Sequence, residues 1–258
     1  MIQSNIYQKI YFDWWRNLDK TLFSLIIFLF LLGLFFSLVS TSLVASDKLN
    51  TNSYKFFFKH FIYISMGISV VFALSYLSTK NLFIVSNFLF IICFIALLLV
   101  PFIGVEVKGS KRWIDLLFLP RFQPIEVLKP FIIIVMASIL SLEKKTNLYF
   151  KYFLSFLVLF PIIILLISQP DLGQTILIFS TWLALIFISG VNLILFFIFF
   201  IFSSFIFLYI IFFIPRFEYI LIRISSFLNS GSGNNYQSER ASEAIINGGF
   251  FGRGIGEG

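Results

Sequence analysis

The chain has 258 residues, 59% of them hydrophobic and only 12% charged, with a formal net charge of +7 and a mean hydropathy of +0.99; this excludes an ordinary water-soluble domain and makes the bilayer its solvent. The basic residues lie in short polar breaks between apolar runs and build no nucleic-acid motif, which excludes nucleic acid as a partner and favours an anionic lipid. The single cysteine, Cys93, sits inside an apolar run, so no disulfide can form within the chain and no cysteine metal cluster is expected.

Lys9, Arg16 and Lys20 precede an apolar stretch that is too long for a signal-peptide core and lacks a small-residue cleavage pattern. Residues 1–20 are therefore expected as a cytoplasmic N-terminus, followed by a first membrane anchor. Apolar runs then predict helices over 21–44, 57–77, 82–103, 124–142, 148–168, 172–188 and 191–215, about seven spans. Period-two polar alternation is lacking, which argues against a β-barrel. The expected fold is all-α, a polytopic transmembrane helix bundle, with residues 1–258 forming a single membrane domain. His60, the only histidine, lies among Phe56, Phe57, Phe58 and Phe61 and reads as a packed or interfacial residue rather than a catalyst.

Ser168 to Gly173 and Ser189 to Asn192 break the hydrophobicity briefly and predict tight turns. Two longer interruptions, Gly104 to Gln123 and the Gly-, Ser- and Asn-rich segment 216–258, are expected as functional loops. A cytoplasmic N-terminus puts both on the outer face, 216–258 as a long extracytoplasmic Gly-rich loop. The positive-inside count does not settle the orientation: Lys9, Arg16, Lys20, Lys80, Lys144, Lys145 and Lys151 would be inside, but Lys108, Lys111, Arg112, Arg121, Arg216, Arg223, Arg240 and Arg253 would be outside. Outer cations retained to hold an anion reconcile the two.

Lys108, Lys111, Arg112 and Trp113 form a cationic and aromatic cluster beside Gly109. Arginine offers a fork of donors matched to phosphate oxygens and lysine a point charge, so pyrophosphate is a candidate ligand. An interfacial anchor on lipid headgroups would use the same residue types. Further on, Pro124 suits the first turn of a helix, which places Glu126 and Lys129 three residues apart on one face, able to pair. Charges in a span cost on the order of 3 kcal/mol or more, so this pair should face the bundle interior or an aqueous cavity, as a structural ion pair or as cavity lining. Asp171 falls at or near a helix N-cap, where a carboxylate accepts orphan backbone N–H groups.

These segments carry a family resemblance. Lys108 to Asp115, followed by Phe122-Gln123-Pro124-Ile125-Glu126 to Lys129, resembles the KGA-x-RW and QPSE-x-x-K pattern of the SEDS family, which includes FtsW, RodA and SpoVE, with Ile125 in place of the usual serine. Gln169-Pro170-Asp171-Leu172-Gly173 is similar to the family's QPD-[LF]-G. Arg223 to Asn229, Tyr236-Gln237, Ala244-Ile245 and Gly248 to Gly254 follow its third block, with Ser230 replacing proline; Gly256-Glu257-Gly258 is more like the cell-division branch than the elongation branch.

The resemblance implies a peptidoglycan glycosyltransferase of ten spans in the bacterial inner membrane, at the division septum. It would polymerise lipid II beside a class B penicillin-binding protein transpeptidase and other divisome membrane proteins. Glu126, Lys129 and Asp171 are then expected as supporting cavity residues, and Lys108, Lys111, Arg112, Trp113, Gln123, Gln169, Tyr236 and Gln237 as substrate-binding ones. The catalytic Asp is expected in a His-Thr-Asp segment beyond Gly258, so the chain reads as an N-terminal fragment, inactive alone. No cofactor is certain; a divalent cation could assist the departing pyrophosphate. A lipid flippase and a non-catalytic divisome scaffold are the rival readings.

Overall fold

In a computed structural model the structure describes residues 12–42, 54–107, 110–116, 119–142, 146–228 and 236–252. They fall into two compact units, one of residues 1–78 with 232–258 and one of residues 79–231.

In the first unit a short helical segment over 12–17 precedes α1, Lys20–Phe36. Asp19 caps α1, its side chain accepting from the Leu22 amide, as a short acceptor at an N-cap should. The helix was expected to run to residue 44; it instead widens into a π-helical turn, Ser37–Ser42, where β-branched and hydroxyl residues compete with α geometry. α2, Lys55–Ser75, follows. Trp14 stacks on Tyr76 with ring centroids 4.7 Å apart, and its Nε1 donates to the Ser75 hydroxyl at 2.9 Å.

The second unit opens with α3, Thr79–Ile103. It continues through β1, Val105–Val107, β2, Ser110–Leu116, and β3, Leu119–Phe122, to α4, Pro124–Leu140. Then come α5, Leu148–Ser168, α6, Leu172–Ile188, α7, Leu193–Phe213, a 3-10 turn at Pro215–Phe217, and α8, Glu218–Leu228. The 104–123 interruption, expected as a loop, is thus an antiparallel sheet of order β1-β2-β3. Segment 216–258, expected as a Gly-rich loop, contains α8 and, in the first unit, α9, Tyr236–Gly248. Both are short and carry charges, so they were invisible to a search for membrane spans.

All seven expected apolar helices are present, but among the described residues five are long and apolar enough to cross a membrane. The other two, α4 and α6, have 17 residues each, about 25 Å of helix against a hydrocarbon core of roughly 30 Å. These two short helices supply much of the core of their unit. Ile125, Leu128, Ile132 and Met136 of α4 and Ile178 and Trp182 of α6 pack with Leu97 and Val100 of α3 and Leu159, Ile162 and Leu166 of α5, all of them buried. Lipid tails are as apolar as leucine, so what holds helices together here is close packing and interhelical hydrogen bonds rather than expulsion of water. Trp182 Nε1 donates to the Ser155 hydroxyl at 3.0 Å, joining α6 to α5 inside that core. Lys151, buried at the start of α5, donates its ammonium to the Leu142 carbonyl at 2.5 Å.

Candidate functional site

Two helix beginnings meet at one end of the second unit. Pro124 occupies the first turn of α4, where a missing N–H costs nothing, and Asp171 stands at the N-cap of α6. Glu126 N follows onto the Gln123 carbonyl at 3.0 Å. The two helices are joined by polar rungs at the same sequence offset. Gln123 Nε2 donates to Asp171 Oδ2 at 2.9 Å, and Gln174 Nε2 donates to Glu126 Oε1 at 2.6 Å. Each rung lies three residues after the last on both helices, one helical turn along, so the helices run parallel at this point.

Each carboxylate of the rungs also has a cation. Glu126 Oε2 is 2.6 Å from Lys129 Nζ, on the same helix, as the sequence spacing predicted. Asp171 Oδ1 lies 3.7 Å from Arg112 of β2. Both acids further sit at helix N-termini, where the backbone dipoles favour negative charge. The expectation that the Asp171 side chain caps α6 is corrected: it makes no capping hydrogen bond, because Gln123 and Arg112 occupy its oxygens. Its carbonyl instead accepts from the Thr175 amide and hydroxyl, at 3.1 Å and 2.8 Å.

Arg112 is committed within the protein. Its Nε donates to the Gln169 carbonyl at 3.0 Å, and a terminal nitrogen donates to the Pro170 carbonyl. The guanidinium therefore closes the C-terminal end of α5, where unpaired carbonyls carry the negative end of the helix dipole. Tyr219 of α8 adds its hydroxyl to the Pro170 carbonyl at 3.2 Å.

The sheet divides the cationic cluster expected at 108–113. Successive side chains of a strand point to opposite faces. Arg112 is half-buried and Ile114 buried, whereas Lys111, Trp113 and Asp115 are exposed. Asp115 meets Arg121 of β3 at 2.7 Å on the exposed face. Trp113 and Arg112 thus cannot close on one ligand from β2. Lys111 rims a hollow of about 270 Å³ with Glu106, Ser110, Ser168, Gln169 and Pro170. Gln169 is 4% exposed, and neither polar atom of its side-chain amide has a partner. Lys129 lines a separate hollow of about 190 Å³ between α4 and α6, with Ile132, Met136, Ile178 and Thr181.

Arg112, Gln123, Glu126, Lys129 and Asp171 therefore form one polar seam, of which Lys129 lines the smaller hollow, whereas the larger one is lined by Lys111 and Gln169 and by none of these five. Lys108 lies outside the described residues. Tyr236 and Gln237 start α9 in the other unit, and their side chains are outside the described set. Sequence reasoning missed Gln174, whose position three residues after Asp171 matches the Gln123–Glu126 spacing and could have signalled the second rung.

The fold and the seam define a polytopic helical membrane protein with paired charges held at the starts of two short helices. The chain belongs to the FtsW/RodA/SpoVE family, whose model, described as "Cell cycle protein", matches residues 19–258. A "Probable peptidoglycan glycosyltransferase FtsW" of Coxiella burnetii is 34% identical over 224 residues, 84% of this chain and 59% of the relative. Its counterpart in Buchnera aphidicola subsp. Acyrthosiphon pisum is 32% identical over 247 residues, 92% of this chain and 60% of the relative. The chain thus spans roughly three-fifths of the length of these curated relatives. In fold it is similar to the rod shape determining protein RodA of Thermus thermophilus, with TM-score 0.52 and 24% identity over 65% of this chain and 53% of that one. A chain of a peptidoglycan synthase complex gives TM-score 0.54 and 22% identity over 86% of this chain and 58% of that one.

Proposed function

We propose that the chain forms part of a peptidoglycan glycosyltransferase that polymerises lipid II into glycan strands for septal wall synthesis. The names of the relatives support the activity. The observation that carries it to these residues is the polar seam: two carboxylates and two cations are held together at the starts of α4 and α6, in a chain that is otherwise dominated by apolar helices.

In this reading the sugar 4-hydroxyl of one lipid-linked disaccharide attacks the anomeric carbon of the growing strand. The new bond forms as the bond to undecaprenyl pyrophosphate breaks, and the hydroxyl proton passes to a carboxylate base. Cations stabilise the charge gathering on the leaving pyrophosphate. Lys111, exposed at the rim of its hollow, and Lys129, lining the second, are the cations placed to meet a ligand. Arg112 acts as a positioning residue that holds β2 onto the α5–α6 turn. The base falls to the Asp of the His-Thr-Asp segment that the family resemblance implies. A divalent cation that assists the departing pyrophosphate stays part of this reading; among the described residues no three His, Cys, Asp or Glu side chains gather that could hold it.

The same reading places the protein in the bacterial inner membrane at the septum, beside a class B penicillin-binding protein transpeptidase and other divisome membrane proteins. The test is lipid II polymerisation by the full-length protein in vesicles. Lys111→Ala and Lys129→Ala should each lower strand synthesis at least about tenfold, roughly the worth of one charged contact. Unchanged turnover removes these residues from the mechanism. Lipid translocation without strands would replace the polymerase with a flippase, and division supported by a catalytically dead protein would leave a scaffold.

A further inference from the structure

A further polar hollow lies in the first unit, remote in sequence from the seam. Between the end of α1 and the first turns of α2, Gly33, Ser37, Phe56, Lys59, His60 and Tyr63 line a groove of about 420 Å³. Gly33 forms the wall opposite the imidazole: a Cβ there would stand 3.7 Å from His60 Nε2. Lys59 Nζ sits 5.9 Å from the centre of the Tyr63 ring.

Among the described residues the groove sets Lys59 and the His60 imidazole side by side without a carboxylate partner. Lys59 is four residues into α2, about 6 Å along the axis from Lys55. Asp13 pairs with Arg16 at 3.2 Å, Asp19 is used on the Leu22 amide, and Glu243 pairs with Arg240. Among the described residues no carboxylate reaches Lys55, Lys59 or His60. Charge set this far into an apolar helix persists where it meets water or an anion. The surroundings favour an amphipathic anion over a free one, because Phe36 and Phe56 border the groove and the α1 and α2 surfaces beyond it bury no residue within the protein.

We propose that this groove binds an anionic phospholipid, its headgroup phosphate on Lys59 and His60 with Tyr63 as a hydroxyl partner, and its acyl chains along Phe36 and Phe56. The site is independent of the lipid II reading: it would anchor the α1–α2 hairpin to anionic bilayers whether or not the seam serves a polymerase.

The full-length protein, purified in detergent with equal phosphatidylglycerol and phosphatidylcholine, is examined by native mass spectrometry. Wild type should retain phosphatidylglycerol in preference. The double variant K59Q/H60Q should lose the preference by about fivefold or more, the worth of about one interfacial cation. Lys20→Gln, which removes an interfacial lysine resting on Trp15, should leave it unchanged. Equal retention of the two lipids by wild type, an equal loss in Lys20→Gln, or displacement by excess inorganic phosphate each overturns the proposal. Photocrosslinking of wild type with a headgroup-labelled phosphatidylglycerol needs no variant to fold. Adducts within 56–63 support the site, and adducts elsewhere or none refute it.

Discussion

Gln123 and Asp171, each the N-cap residue of a helix, spend their side chains on one another at 2.9 Å rather than on the backbone ends they stand beside. The starts of α4 and α6 are therefore locked side by side. A double-mutant cycle with Gln123→Ala and Asp171→Asn should show it. Each single change is expected to lower stability in detergent by about 1–3 kcal/mol, since each strands a partly buried partner. The double change should cost less than the sum; additive losses would show that the contact carries no energy.

Arg112 joins β2 to two carbonyls and a carboxylate through its fork of donors. Lysine has one charged point and cannot reproduce that fork. Arg112→Lys is expected to destabilise by about 1.5–3 kcal/mol, read as a fall in thermal unfolding midpoint. A wild-type midpoint would mean that the guanidinium is dispensable to the fold.

For Glu126 and Lys129 the order of effects is the prediction. Removing Glu126 leaves Lys129, the less exposed partner, beside the apolar side chains of its hollow, whereas replacing both with neutral side chains removes the demand. Glu126→Gln combined with Lys129→Met should be more stable than Glu126→Gln alone, while strand synthesis by the full-length protein stays low in the double variant. If the double variant proves the least stable of the set, the pair contributes through packing instead.

Gly104 links α3 to β1 at a close backbone approach. A Cβ there would lie 2.3 Å from the Val100 carbonyl oxygen, which also accepts the Gly104 amide at 2.8 Å. Backbone cannot swing aside as a side chain can, so Gly104→Ala should cost about 1–3 kcal/mol. Gly173→Ala serves as the contrast, since nothing lies within 4 Å of a Cβ at that position. Similar unfolding midpoints for the two variants would contradict this.

Much of the fold was legible because the apolar runs of a membrane chain are long and their breaks sharp. Helices expected over 148–168 and 172–188 are found at those bounds, and 124–142 ends two residues early. The hairpin of β1, β2 and β3 was overlooked because a loop of mixed polarity between spans was read for charge, not for alternation. Val105-Glu106-Val107 does alternate and Gly109-Ser110 is a turn signal, but Arg112-Trp113-Ile114-Asp115 sets two apolar residues side by side, so the alternation of β2 shows only in its burial.

By itself the sequence determined a polytopic helical membrane protein, the Glu126–Lys129 pair and the family motifs, all of which depend on composition and on spacing within one segment. Only the tertiary structure decided that Arg112 turns inward from Lys111 and Trp113, that Asp171 answers Gln123 instead of its own helix, and that Lys111 and Lys129 line separate hollows. Such choices arise where a strand face and two helix starts converge from distant parts of the chain, and local spacing carries no record of which polar atom will be nearest.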